Sequence, residues 1–450
     1  MIYLFVIHIV SIMDKFENVV LGCQSGKTSQ ILSYIDSVQQ NDCEDNVSLT
    51  IIYTQNTLLN TQQFMARVVS SLPNNMGKIG IVASNLKSFG DKIKNSKDKF
   101  RMVKKIEDLE LNDISILLQC KNSCRVNNLL TTITNLNRNV NVIIDEAHQA
   151  IDSKDKKCMV CKDKNSIATW GYGKKRTHCS SCRYHDMTKQ PKKLSTRDLI
   201  EKLCELTNVD KVIGVTATPL RLYIAFSHNW TKIKQVLYSP TNLEGSYYKI
   251  SDMKNVDIEG FEYDKTLYIN EGFDIAAQYL TYVLTYDSSI MVDKARIFCP
   301  GMRLCESHDV IEYLAFDFNP LAVVVKLNGT NKTLSYFDTA EDYNLWGAPW
   351  VEGDRGDYLR IINLIDNTSD ISEINDIIYN VMESKNLLDR PLLITGYMCV
   401  SCGATLTNER LGNFTSAIFS PHLCNVKNKD NIYQIVGRAS SRSLKWVTHS

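Results

Sequence analysis

Four hundred and fifty residues exceed what one ordinary core organises, and the usual domain size divides them into two or three units, which excludes a small peptide or a lone binding module. Hydrophobic residues at 44 % and charged residues at 22 % are the balance of a folded chain rather than a disordered one. Lys plus Arg (51) against Asp plus Glu (50) leaves a net charge of +1, so a polyanionic partner must be met by a local patch.

The first twelve residues, MIYLFVIHIVSI, are too short to span a bilayer and lack the positive flank of a signal peptide. They read as a buried strand, or as a translation artefact with Met13 as the true start. No other segment reaches membrane-spanning length.

From Asn18 the chain reads NVVLGCQSGKTSQIL, an apolar run that feeds a small-residue turn and then a helical pattern through Ile31, Leu32 and Ile35. A strand, a loop of converging N–H groups and a helix N-terminus form a ready anion site. The loop spans Gly22, Cys23, Gln24, Ser25 and Gly26, followed by Lys27, Thr28 and Ser29. Lys27 would reach the β- and γ-phosphates of a nucleotide, and the Thr28 hydroxyl would bind magnesium. Leu21 stands where the full phosphate-loop pattern has glycine, so the match is to the Gly-Lys-Thr core; by itself such a core also fits a surface turn.

Further along, Val142-Ile143-Ile144 ends in Asp145-Glu146-Ala147-His148. A buried strand ending in two carboxylates supplies what a nucleotide hydrolase needs, Asp145 to hold the magnesium and Glu146 to orient and deprotonate water. Val212-Ile213 then leads into Gly214-Val-Thr216-Ala-Thr218-Pro219, whose two hydroxyls alternate to one side of a strand end. Near the C-terminus stands Gln434-Ile-Val-Gly437-Arg438-Ala-Ser-Ser441-Arg442. At helical spacing Gln434, Gly437, Arg438 and Ser441 share a face, giving an arginine for γ-phosphate charge.

Gly-Lys-Thr, Asp-Glu-Ala-His, Thr-Ala-Thr and Gln-x-x-Gly-Arg in this order resemble the DEAD/DEAH-type superfamily 2 helicases and translocases, over nearly the whole chain. The resemblance implies an α/β fold of two tandem RecA-like domains, parallel sheets flanked by helices, that sandwich ATP and bind a nucleic-acid strand. It implies Lys27, Thr28, Asp145 and Glu146 on the first domain, faced by Gln434 and Arg438 from the second, with the long side chain of Arg442 as a candidate for the second arginine. Leu49 to Asn56 falls where a strand-binding motif belongs, Ala295 to Gly301 resembles the first strand of the second domain, and Pro391 to Gly396 leads into a motif whose usual Arg-Gly is Cys402-Gly403. The family's second arginine falls at Ser441 here, with Arg442 one residue later, and no adenine-reading motif precedes the phosphate loop. The expected division is 13–220 for the first domain, 221–270 as a connector and 271–450 for the second.

Fourteen cysteines are mostly scattered, but Cys158-x-x-Cys161 and Cys179-x-x-Cys182 are paired at the spacing of a four-thiolate zinc ribbon, with a redox pair as the alternative. Thiols and zinc fit a reducing compartment, cytoplasmic or nuclear, and a viral source is compatible. The insert at 154–193 holds twelve Lys and Arg against three Asp, a local +9, with Trp170, Tyr172 and Tyr184 interleaved. That pattern reads as a clamp for DNA or RNA, or as a dock for an acidic protein. The stretch 331–370, eight acidic residues to three basic, reads as a surface loop. The functions to separate are an ATP-driven helicase or translocase, an ATPase switch that remodels complexes without unwinding, and a non-catalytic zinc-ribbon binding protein.

Overall fold

A computed structural model of the chain describes residues 14–21, 27–41, 48–54, 58–72, 78–83, 100–121, 123–147, 195–217, 220–227, 233–237, 256, 258–302, 305–328, 332–347, 358–364, 372–396, 406, 408–425, 432 and 435–439. They form two α/β units, each built on its own sheet.

The first sheet has eight strands, all parallel. In chain order they are β1 (Phe16–Val20), β2 (Leu49–Thr54), β3 (Ile79–Val82), β4 (Arg101–Val103), β5 (Ile116–Cys120), β6 (Val140–Asp145), β7 (Val209–Thr216) and β8 (Lys234–Leu237), and their order across the sheet is β4-β3-β5-β2-β6-β7-β1-β8. Strands β2 and β5 are buried along their whole length, as strands covered on both faces must be. Alternation divides their side chains between two cores. On one face Ile51, Leu117, Ile144 and Val212 pack with Leu129 and Ile133 of α3 (Ser123–Thr134) and with Leu199 and Leu203 of α4 (Thr196–Glu205). On the other, Ile52, Leu118, Ile143 and Val215 meet Ile31 and Ile35 of α1 (Lys27–Asn41) and Phe64, Met65 and Val68 of α2 (Leu58–Ser71). Helix α4 starts at a reciprocal cap, in which Ser195 and Asp198 satisfy each other's backbone N–H groups.

The stretch 221–270, read as a connector, supplies β8, which pairs with the far edge of β1. The same stretch contains most of α5 (Leu220–Ala225) and of α6 (Lys265–Glu271).

The second sheet departs from the parallel expectation. It comprises β9 (Arg296–Phe298), β10 (Val323–Leu327), β11 (Lys332–Phe337), β12 (Leu359–Asn363), β13 (Leu392–Gly396) and β14 (Ser416–Ala417), ordered β12-β11-β10-β13-β9-β14. Strands β9, β10, β13 and β14 run parallel, but β10 with β11 and β11 with β12 are antiparallel. The connection from Leu327 to Lys332 is far too short for a parallel crossover, so the chain must turn back. The stretch 331–370 is therefore not simply a surface loop: it provides β11, α9 (Ala340–Gly347) and β12. Trp346 packs against Phe337 and Tyr343. Helices α7 (Ile275–Tyr286) and α8 (Cys305–Phe318) cover one face of this sheet, and α10 (Ile374–Ser384) the other. No described helix is long and apolar enough to cross a membrane.

Candidate active site

The site is assembled at the carboxyl ends of neighbouring first-sheet strands, where crevices between parallel strands open. Strand β7 lies between β1 and β6, and the backbone stitches their ends together. Leu21 N–H donates to Thr216 O at 3.0 Å, and Ala147 N–H donates to Val215 O at 3.0 Å. The end of β1 at Leu21, the end of β7 at Thr216 and the Asp145-Glu146 corner are thereby held in one register. Leu21 departs from the usual glycine because its side chain belongs to the core beside Ile31 and Leu32. Gly214 is required by close approach: a Cβ there would lie 3.1 Å from both Ala147 Cβ and the Phe16 ring.

Lys27 opens α1 and donates to the Glu146 carboxylate, an ion pair whose acidic member is buried. Asp145, half-buried beside it, has its carboxyl raised above the ordinary carboxylate range by desolvation and by the Glu146 charge, with Lys27 and Lys121 opposing. Glu146 itself turns the chain with φ of 48°, a conformation uncommon outside glycine.

What holds that turn is a residue the sequence reading missed. Lys121, directly after β5 and only 2 % exposed, donates to the carbonyls of both Asp145 and Glu146 at 2.7 Å each. A buried ammonium needs such acceptors. The signal available in the sequence was a lone lysine closing the run Ile116-Leu-Leu-Gln-Cys120.

A second missed residue is Arg67 of α2, whose Nη1 donates to Thr28 Oγ1 at 2.9 Å. Its Nε and Nη2 donate to the two carboxylate oxygens of Glu373 at 2.8 and 2.6 Å. Glu373 is the residue before α10, so this fork joins the two units. In sequence Arg67 is an ordinary arginine on an amphipathic helix, and nothing local marks it.

The arrangement brings together Lys27, Asp145 and Glu146, with Thr28 adjoining Lys27 in the first turn of α1 and Ser29 exposed after it. Thr28 and the two acids offer hard oxygen donors of the kind magnesium takes, and Lys27 already answers an anion, so the donor set fits a magnesium-bound polyphosphate. Arg438 belongs to the second unit: it is 5 % exposed, between the core residues Ile435 and Ala439. The backbone there makes three-residue turns, Arg438 to Ile435 and Ala439 to Val436, and Gly437 and Arg438 are in turn conformation rather than in the regular helix expected. Gly22, Cys23, Gln24, Ser25, Gly26, Gln434 and Arg442 lie outside the described residues, as do Cys158, Cys161, Cys179 and Cys182. Among the described residues no group of three or more His, Cys, Asp or Glu is arranged to hold a metal ion. Of the described cysteines, Cys120, Cys204 and Cys299 are buried, and burial pushes the thiols of Cys204 and Cys299 up to about 12.

No protein-family model matches the chain, and no curated protein matches it. Among solved structures it is similar to the DExH-box NTPase HrpB of E. coli, with a TM-score of 0.45 and 8 % identity, over 100 % of this chain and 41 % of that one. It is also similar to the NS3-like helicase of Alongshan virus, with a TM-score of 0.39 and 10 % identity, over 96 % of this chain and 71 % of that one. This chain thus spans about two-fifths of the HrpB chain. At these values neither neighbour decides the chemistry, which is left to the chain's own residues.

Proposed function

We propose that this protein is a nucleic-acid-dependent nucleoside triphosphate hydrolase, working as a helicase or translocase. The observation that carries the reading is the joining of Lys27 to Glu146, beside Asp145, at the ends of strands stitched by Leu21–Thr216 and Ala147–Val215. Lys27 would exchange the Glu146 carboxylate for the β- and γ-phosphates, freeing Glu146 to orient and deprotonate the attacking water. Thr28 and Asp145 would hold magnesium, which supplies charge neutralisation for the phosphates when bound. Arg438, with Gln434 and Arg442 in the same motif, is the source of positive charge from the second unit. Lys121 keeps the Asp145-Glu146 corner in its turned form. Nucleic acid as the activating polymer rests on the basic, aromatic insert at 154–193.

The test is steady-state ATP hydrolysis without polymer, with single-stranded DNA and with single-stranded RNA, beside Lys27→Ala. Stimulation by one polymer that is lost in the variant supports the reading and selects the track. Absence of hydrolysis under all three conditions overturns it in favour of a binding protein. A strand-displacement assay then separates a helicase from a remodelling switch.

A further inference from the structure

Two units that share a nucleotide need a physical link by which the state of one reaches the other. The described residues contain one that joins a ligand-binding atom of the first unit directly to the second. Arg67 spends its three nitrogens on two targets: Nη1 on Thr28 Oγ1 at 2.9 Å, and Nε with Nη2 on both oxygens of Glu373 at 2.8 and 2.6 Å. Both members of the ion pair are about four-fifths buried, with side chains 20 % and 22 % exposed, so the fork is shielded from the screening that weakens surface pairs. A planar guanidinium is suited to this, since its donors are fixed relative to one another and a shift of one target moves the other.

Each end of the fork is anchored in its own unit. Glu373 precedes α10, yet its side chain makes no capping bond to that helix; its carboxylate is given to Arg67 instead. The helix it leads is firmly part of the second unit, since Ile374, Ile377, Ile378 and Met382 are buried in that core. Asp376, one turn on, is held by Asn408 at 2.6 Å and feels the charges of both Glu373 and Arg67. At the other end, Arg67 sits on α2, whose Phe64, Met65 and Val68 anchor it in the first unit.

We propose that Arg67 is a positioning residue that ties the Thr28 hydroxyl to Glu373 and so makes occupancy of the divalent-cation position and the spacing of the two units mutually dependent. The inference rests on the reading of Thr28 as a magnesium ligand. The Thr28 oxygen that accepts from Arg67 is the one a phosphate-loop threonine offers to the cation. A guanidinium on that oxygen uses a lone pair and brings positive charge to it, and both effects oppose coordination of a dication. Thr28 that turns to the cation must therefore loosen its bond with Arg67, and the fork that fixes α10 loosens with it. Linkage requires the converse: separating Glu373 from Arg67 changes cation affinity by the same factor.

The experiment uses the full chain with Mn²⁺ and ADP. Mn²⁺ affinity is read by electron spin resonance, and the distance between the units is read by dipolar spectroscopy from labels at the exposed Lys105 and Lys385. Arg67→Met should bind Mn²⁺ about tenfold more tightly than the wild type. Its distance distribution should be broad without ligand and unchanged by Mn²⁺–ADP, whereas the wild-type distribution should be narrow and should shift. Glu373→Gln, which opens the fork from its other end, should broaden the distribution and shift Mn²⁺ affinity in the same direction as Arg67→Met. A purely structural Arg67 would leave Mn²⁺ affinity unchanged in Arg67→Met, which overturns the proposal. Wild-type protein that holds no Mn²⁺–ADP removes the nucleotide-site reading as well. Wild type that holds it, Thr28→Ala that loses it and Arg67→Met that matches wild type remove the relay alone.

Discussion

Lys27 and Glu146 neutralise each other across the mouth of the first sheet, so the amine proposed to bind phosphate and the carboxylate proposed to activate water are each other's partner. Glu146→Gln should therefore keep nucleotide binding, since Lys27 loses a competitor, while the hydrolysis rate falls by about 10²–10⁴. Lys27→Ala should lose binding and also leave Glu146 buried without that partner, at a cost of about 3–5 kcal/mol in unfolding free energy. Equilibrium ADP binding and denaturant titration of both variants check these outcomes. Equal loss of ADP affinity in the two would contradict the roles assigned.

Lys121 supports the Asp145-Glu146 corner through two backbone carbonyls. Lys121→Met removes the donor from two buried carbonyls and should lower stability by about 1.5–3 kcal/mol, measured by denaturant unfolding. With the Asp145-Glu146 turn released, turnover should drop by about 10²-fold with a smaller change in KM. A variant that loses stability but keeps its turnover would show that the turn at Glu146 is set without Lys121.

His308 gives the second unit a pH dependence. It is 1 % exposed, its Nδ1 lies 2.9 Å from Thr395 Oγ1, and a Cβ on Gly301 would stand 2.7 Å from that nitrogen. Burial lowers its basicity below the ordinary histidine range, against the opposing charges of Asp274 and Asp309. The unfolded chain then binds a proton that the folded chain refuses, so the contribution of His308 to stability is full above its ordinary pKa and is lost as pH falls through the depressed one. Unfolding free energy measured from pH 8 down to pH 5 should decline, and His308→Gln should flatten part of that slope. His422, depressed by burial in the same way, accounts for a further part. An unchanged slope in His308→Gln would mean that the histidine is not buried neutral.

The basic insert carries two expectations that rest on sequence. Fresh protein should contain one zinc per chain, lost in Cys158→Ser and on chelation, as metal analysis would show. Neutralising Lys174, Lys175 and Arg176 together should flatten the salt dependence of single-strand binding by roughly 2 units of slope if all three meet phosphates. Unaltered slopes would assign the insert to an acidic protein instead.

The parts of this molecule legible from sequence were those whose signal is local. A continuous apolar run announces a strand buried on both faces, and the runs ending in Asp145-Glu146 and leading towards Lys27 are strands whose following residues the structure brings together. Strands β1, β2, β6, β7, β9, β10 and β13 follow such runs. What escaped is defined by distant partners. The KQVL of β8 carries too little apolar length to read as a strand and exists because β1 offers an open edge. The antiparallel return of β11 was hidden in an acidic stretch that reads as surface, although Asn328-Gly329 is a turn signal. Lys121 and Arg67 are isolated basic residues whose importance comes from carbonyls 24 and 25 residues away and from a carboxylate 306 residues away.

The position of β1 has a consequence for how the protein is made. Asn18 bonds Gln235 across 217 residues of chain, and Lys15 reaches back to Leu206 and Val209 across 191 and 194. β1 leaves the ribosome well before both of its neighbours in the sheet, β7 and β8. At about 5–20 residues per second it waits on the order of ten seconds or more, an apolar strand with two open edges and a large loop-closure entropy still to be overcome. Shortening the 154–193 insert should bring β7 to β1 sooner. Protein lacking that insert should then depend less on holdase chaperones during synthesis.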